Sequence, residues 1–75
     1  MKILLFGELT DITKSSSVEI ESVKNVDELK NSVHQKFPSL QNFKYQIAVN
    51  SSLIIENISL NETDEIALLP PFAGG

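Results

Sequence analysis

The residues whose type and place could do chemistry are the two glycines that close the 75-residue sequence, Gly74 and Gly75. Lacking side chains, they let a backbone thread a narrow channel and leave the carboxylate of Gly75 unobstructed. Ahead of them, Pro70 and Pro71 fix φ and cannot donate ladder hydrogen bonds, so a sheet ends there and a tail departs. Fully extended, the six residues from Pro70 to Gly75 reach about 20 Å. A thread ending in a carboxylate needs the active site of another molecule. Gly75 is therefore the candidate reactive residue, and Pro70, Pro71, Phe72, Ala73 and Gly74 are the candidate threading residues. Phe72, lifted off the sheet by the prolines, is read as a contact made inside that partner. A bare Gly-Gly end is a weak signal, since chain ends are often loose. Its weight depends on what precedes it.

Other polar groups offer less. The sequence has no cysteine, which excludes disulfides, thiolate metal sites and a nucleophilic thiol supplied by this chain. His34, the sole histidine, stands beside Asn31 and Gln35 on a helix and reads as a solvated surface residue without a role, because catalysis requires an oriented partner. Glu62, Asp64 and Glu65 cluster but lack the ligand spacing of a calcium loop, so they read as a solvated turn and no metal site is assigned. Glu8 and Asp11 form no evident carboxylate pair for a substrate and read as the polar exterior of a loop.

The elements that must present the tail follow from hydrophobic pattern. Met1 to Phe6 is a short apolar run ended by Gly7, which suits a strand covered on both faces. Gly7 to Ser17 reads as polar turn chemistry. Val18 and Ile20 then alternate with Glu19 and Glu21, predicting a half-buried second strand antiparallel to the first. Asn25 and Glu28 have the spacing of a capping box, and Val26, Leu29, Val33 and Phe37 draw one apolar stripe. The helix they predict runs roughly from Val26 to Lys36 and is stopped by Pro38. Tyr45, Ile47 and Val49 mark a third strand, Leu53 to Ile55 a fourth after the turn at Asn50-Ser51-Ser52, and Glu65 to Leu69 a fifth.

One helix over one sheet is an α+β, two-layer domain, here residues 1–69 followed by a tail over 70–75. Alternation places Ile3, Leu5, Ile66 and Leu68 against the helix, and Leu4, Phe6, Ala67 and Leu69 on the opposite face. That second face is apolar, so it is either covered by the chain's own loops or a protein-docking surface with Leu53 at its margin. Phe6, Leu53 and Leu69 are the candidate partner-interface residues. A net charge of −4 with scattered basic residues argues against nucleic acid, and no apolar run spans a bilayer or leads a signal peptide. A cytoplasmic location is expected.

Ile3-Leu4-Leu5-Phe6-Gly7-Glu8-Leu9, Ala48-Val49-Asn50 and the closing run from Asp64 to Gly75 resemble the ubiquitin-like sulfur carriers of the molybdopterin synthase small-subunit type. The resemblance covers essentially the whole chain. It implies a β-grasp fold with a mixed sheet, one main helix on one face and an extended C-terminal tail. It also implies a cycle in which an adenylating enzyme, using ATP and magnesium, converts the Gly75 carboxylate to an acyl-adenylate. Sulfur from a donor protein then displaces AMP to leave a thiocarboxylate. The large synthase subunit, which holds the catalytic residues, accepts the tail within a heterotetramer, and sulfur passes to a cyclic pyranopterin phosphate to build the dithiolene. This chain would itself be non-catalytic and bind no cofactor. The family also places the face bearing Phe6, Leu53 and Leu69 against both partners. A basic residue is common in the family near Thr10, and a glycine is common where Thr63 stands. Two other roles remain open: a carrier for thiazole synthesis or another sulfur pathway, and a β-grasp interaction module or modifier conjugated to lysines.

Overall fold

Asn25 caps the principal helix as its spacing with Glu28 predicts, with its side-chain oxygen accepting the Glu28 N–H at 2.9 Å. The return bond reaches one residue further than in a simple capping box: Glu28 Oε1 accepts from the Lys24 N–H at 3.0 Å. In the computed structural model, which describes residues 1–71, this helix, α2, spans Val26–Lys36. Its stripe of Val26, Leu29 and Val33 is buried. Phe37 closes it in a non-helical conformation, and Pro38 opens a 3₁₀ turn over Pro38–Asn42 that the sequence reading did not anticipate.

Five strands lie beneath the helix: β1 Lys2–Leu5, β2 Ser17–Glu19, β3 Gln46–Val49, β4 Ser52–Ile54 and β5 Ile66–Leu69. Their order is β2-β1-β5-β3-β4. β1 pairs antiparallel with β2 and parallel with β5, whereas β3 is antiparallel to both β4 and β5. The sheet is therefore mixed, with its one parallel pair at the centre. The helix-facing side chains Ile3, Leu5, Ile66 and Leu68 are at most 3% exposed and form the core with Leu9, Leu29, Val33 and Leu40. Deep burial on this side is the dominant stabilising term, at about 25 cal/mol per Å² of apolar surface removed from water.

The stretch from Gly7 to Ser17 is not simply a turn. Glu8–Thr13 forms a short helix, α1, which buries Leu9 and Thr13 and ends at Lys14 in the left-handed region. Glu8 and Asp11 both lie in its first turn and are exposed to solvent. The segment after β4 is strapped to the start of α2 by hydrogen bonds from Val26 N–H to the Ile58 carbonyl and from Leu60 N–H to the Lys24 carbonyl. Ile55, expected within the fourth strand, follows its end and is 97% exposed.

The β3–β4 hairpin turns through Asn50 at φ 51° and Ser51 at φ 69°. Positive φ at both central residues is the mirror-image turn that matches strand twist, and asparagine tolerates it better than serine does. Relieving Ser51 of this conformation gains about 1–2 kcal/mol, partly offset by about 0.5–1 kcal/mol of extra unfolded-state freedom in glycine. Ser51→Gly is therefore expected to raise the melting temperature by a few degrees, about 4 °C for a domain of this size; thermal denaturation checks it, and a lower midpoint would contradict the turn assignment.

Candidate functional site

The sheet face away from α2 is where the sequence-predicted residues converge. Phe6 is 44% and Leu53 57% exposed, while Leu4, Ala67 and Leu69 are partly covered and Ala48 is buried. Together with Gln46, Ser51 and Glu65 they line one shallow apolar hollow. No loop of the described residues closes over Phe6 or Leu53, so among those residues the face is not covered by the chain itself. The register explains the grouping. Leu4 stands opposite Ala67 and Ala67 opposite Ala48, with Ala48 opposite Leu53, so one apolar row crosses four strands. The small alanines at its middle make the row concave.

The rim of the hollow is braced by polar bonds that the sequence reading assigned to a solvated turn. Asn50 Nδ2 donates to Asp64 Oδ1 at 3.0 Å, Asn50 Oδ1 accepts the Glu65 N–H at 3.0 Å, and Asp64 Oδ2 accepts the Asn61 N–H at 2.8 Å. Asp64 thus closes the turn that Thr63 occupies. Among the described residues, no three His, Cys, Asp or Glu side chains come together to hold a metal ion. The backbone bond from Asn61 and then the side-chain bond from Asn50 hold the Asp64 carboxyl below its ordinary pKa. Such a group contributes stability above the unfolded carboxylate pKa and loses it as the pH falls through the lower folded value. Asp64→Ala should accordingly flatten the acid limb of the stability profile, which denaturant midpoints measured across the carboxylate range would reveal. An acid limb as steep as that of the native chain would contradict the assignment.

β5 carries the face directly to the tail. Its last residue, Leu69, lies on the hollow, and Pro70 follows against Gly7. Gly7 has φ +56°, and a Cβ added there would meet Pro70 Cγ at 2.5 Å. Sequence reasoning passed over this contact because nothing local signals it. Pro71 stands in a turn and shares a second hollow with Lys30, His34, Lys44 and Tyr45. Phe72, Ala73, Gly74 and Gly75, which carry the threading and reactive assignments, lie outside the described residues.

His34 departs from its expected solvated setting. It is half-buried, with its ring edge-on to Tyr45 at 5.9 Å between centroids and Nε2 2.9 Å from the Tyr45 hydroxyl. Burial pushes the Tyr45 phenol pKa up. The pair braces α2 against the residue preceding β3, a role in packing. The signal available in sequence was the tyrosine, which when buried seeks a partner for its hydroxyl.

Among the described residues no helix is long and apolar enough to cross a membrane. The ThiS family model matches residues 3–75. The molybdopterin synthase sulfur carrier subunit of Mycobacterium tuberculosis is 32% identical over 80 residues, spanning all of this chain and 96% of that protein. Subunit 1 and 2 of molybdopterin-converting factor from Helicobacter pylori have been solved as a protein–protein complex, in which the matching chain is 30% identical with a TM-score of 0.72, over 99% of this chain and 96% of that one. Small archaeal modifier protein 1 from Methanosarcina acetivorans has the same fold, with a TM-score of 0.78 at 24% identity over 99% of this chain and 94% of that one. These likenesses make the architecture the ubiquitin-like β-grasp.

Proposed function

The chain belongs to the ThiS family, and from that premise we propose that it is a sulfur carrier acting as the small subunit of a two-protein molybdopterin synthase. The observation that carries the reading is the continuity of the concave apolar face with the strand leading into the tail: Phe6, Leu53 and Leu69 lie on the face, and Leu69 is followed at once by Pro70. A partner seated on that face has the chain end delivered to it. The full-length relative in Mycobacterium tuberculosis supports the sulfur-carrying role, and the two-subunit complex from Helicobacter pylori supports a large-subunit partner.

The chemistry required of Gly75 is acyl activation. A carboxylate is a poor acyl donor, whereas an anhydride with AMP has a good leaving group. In the proposed cycle an adenylating enzyme supplies ATP and magnesium, and the Gly75 carboxylate displaces pyrophosphate to form the acyl-adenylate. The terminal sulfur of a donor protein's persulfide then attacks the acyl carbon and expels AMP, and a second thiol cleaves the resulting S–S bond, leaving the thiocarboxylate on Gly75 and a disulfide on the thiol side. The thiocarboxylate that results is a soft nucleophile able to attack the pterin substrate in the large subunit. This chain contributes positioning and the terminal atom; no described side chain is required to move a proton.

ATP–pyrophosphate exchange by the adenylating enzyme tests the first step. Exchange should depend on the carrier and should vanish when the terminal carboxylate is converted to an amide, and exchange indifferent to the carrier would contradict the reading. The resemblance of the fold to a small archaeal modifier keeps one alternative in view. Accumulation of isopeptide-linked adducts on lysines, with no thiocarboxylate formed, would favour it.

A further inference from the structure

We propose that Gly7 and Thr10 form a rigid seat for Pro70 that aims the C-terminal tail, making Gly7 a positioning residue for the chain end; the functional side of this inference rests on the reading above. Because β1 and β5 run parallel with Leu5 opposite Leu68, the residues after both strands leave the sheet side by side at one end. The last rung there is Phe6 N–H to the Leu68 carbonyl at 3.2 Å. Immediately beyond it Gly7 adopts φ 56° and ψ −135°, a combination that a side chain strains to enter. Its Cα faces the pyrrolidine ring so closely that a Cβ would stand 2.5 Å from Cγ and 3.3 Å from Cδ.

Gly7 is also held from behind. Its carbonyl oxygen accepts from the Thr10 N–H at 3.1 Å and from the Thr10 hydroxyl at 2.8 Å. The turn containing both is anchored by the fully buried Leu9. A fixed backbone on one side and a ring of fixed φ on the other constrain Pro70, and through it the direction in which the chain passes from Leu69 to Pro71. A residue needed only to enter α1 would behave differently: its replacement would affect folding without regard to what stands at position 70.

A double-mutant cycle of Gly7→Ala and Pro70→Ala in the full chain separates the two. Backbone strain at Gly7 is common to both backgrounds, whereas the collision belongs to the ring: in Pro70→Ala the carbons at 2.5 and 3.3 Å are gone and only Cβ, at 3.8 Å, remains. Two readouts are taken, the amide chemical shift and residual dipolar coupling of Phe72, and KM against kcat for activation by the adenylating enzyme. Gly7→Ala should move the Phe72 signals and, because only the fraction of chains whose tail is on course is competent to bind, raise KM on the order of tenfold at unchanged kcat, and should add no more than about twofold in the Pro70→Ala background. Thr10→Val, which removes only the hydroxyl bond, should shift the same signals in the same direction and carries the test if Gly7→Ala does not fold. Equal effects of Gly7→Ala in both backgrounds, or Phe72 signals unmoved by either Gly7→Ala or Thr10→Val, would overturn the seat. If the native chain is no substrate for the adenylating enzyme, the functional reading fails, while the Phe72 signals still decide the seat by themselves.

Discussion

Removal of Gly74 and Gly75 is expected to abolish sulfur loading and to leave the fold intact. Every buried side chain of the described residues lies between Ile3 and Leu68, and neither Gly74 nor Gly75 has a side chain to add to that core. The midpoint of thermal unfolding should therefore stay within about 2 °C of that of the native chain. In the proposed cycle activity depends on the terminal atoms themselves, because the carboxylate would be the acyl group activated and a shortened thread would no longer reach a buried reaction centre. A misplacement of about 1 Å is enough to cost a hundredfold in rate, and two residues span far more than that. Retained loading of the shortened chain, measured by discharge of the adenylate to sulfur, would contradict the assignment of Gly75.

The second large effect is predicted for the concave face. Phe6→Asp and Leu69→Asp place a charge where the partner would exclude water, and a buried, unpaired charge is among the most disruptive changes an interface can suffer. Each should weaken binding to the large subunit by at least about 2 kcal/mol, roughly thirtyfold in Kd. Phe6 is nearly half exposed in the free chain, so its replacement should leave the monomer folded, and its circular dichroism spectrum should match that of the native chain. Titration calorimetry against the large subunit checks the prediction. Unchanged affinity of Phe6→Asp would remove the face from the proposed function.

The elements legible in the sequence were those whose signals are local and redundant. α2 carries a cap at Asn25, a stripe of Val26, Leu29 and Val33 and a stop at Pro38, and its bounds of Val26–Lys36 match the expectation. β2 and β3 were legible from alternation and β1, β4 and β5 from short apolar runs bounded by turn signals, and alternation then divided β1 and β5 into a helix-facing set and an open set. α1 was not, because a helix of six residues spans under two turns and shows only Leu9 and Ile12 on its apolar side, with a glycine at the cap and no side-chain capping bond. The 3₁₀ turn after Pro38 is hidden for a similar reason, since a proline that ends one helix also suits the first position of the next turn.

What sequence spacing cannot supply is contact between distant residues. The parallel pairing of β1 with β5 brings Gly7 to Pro70, and no pattern within either segment announces it. His34 and Tyr45 meet for the same reason, across the packing of α2 on the sheet. The candidate face was nonetheless foreseeable, because alternation fixes which side chains share a side once the helix has claimed the other. The concavity was not, since it depends on Ala67 and Ala48 lying in register.

The central claim is that the chain is a carrier and that its carboxylate at Gly75 is the atom group that carries. Intact-mass measurement after incubation with the adenylating enzyme, ATP, magnesium and a sulfur source tests it most directly. The account predicts a single mass increase equal to the exchange of one oxygen for sulfur, mapped by fragmentation to Gly75 and absent when ATP is withheld. A chain that keeps its original mass under conditions in which the enzyme turns over ATP would contradict it.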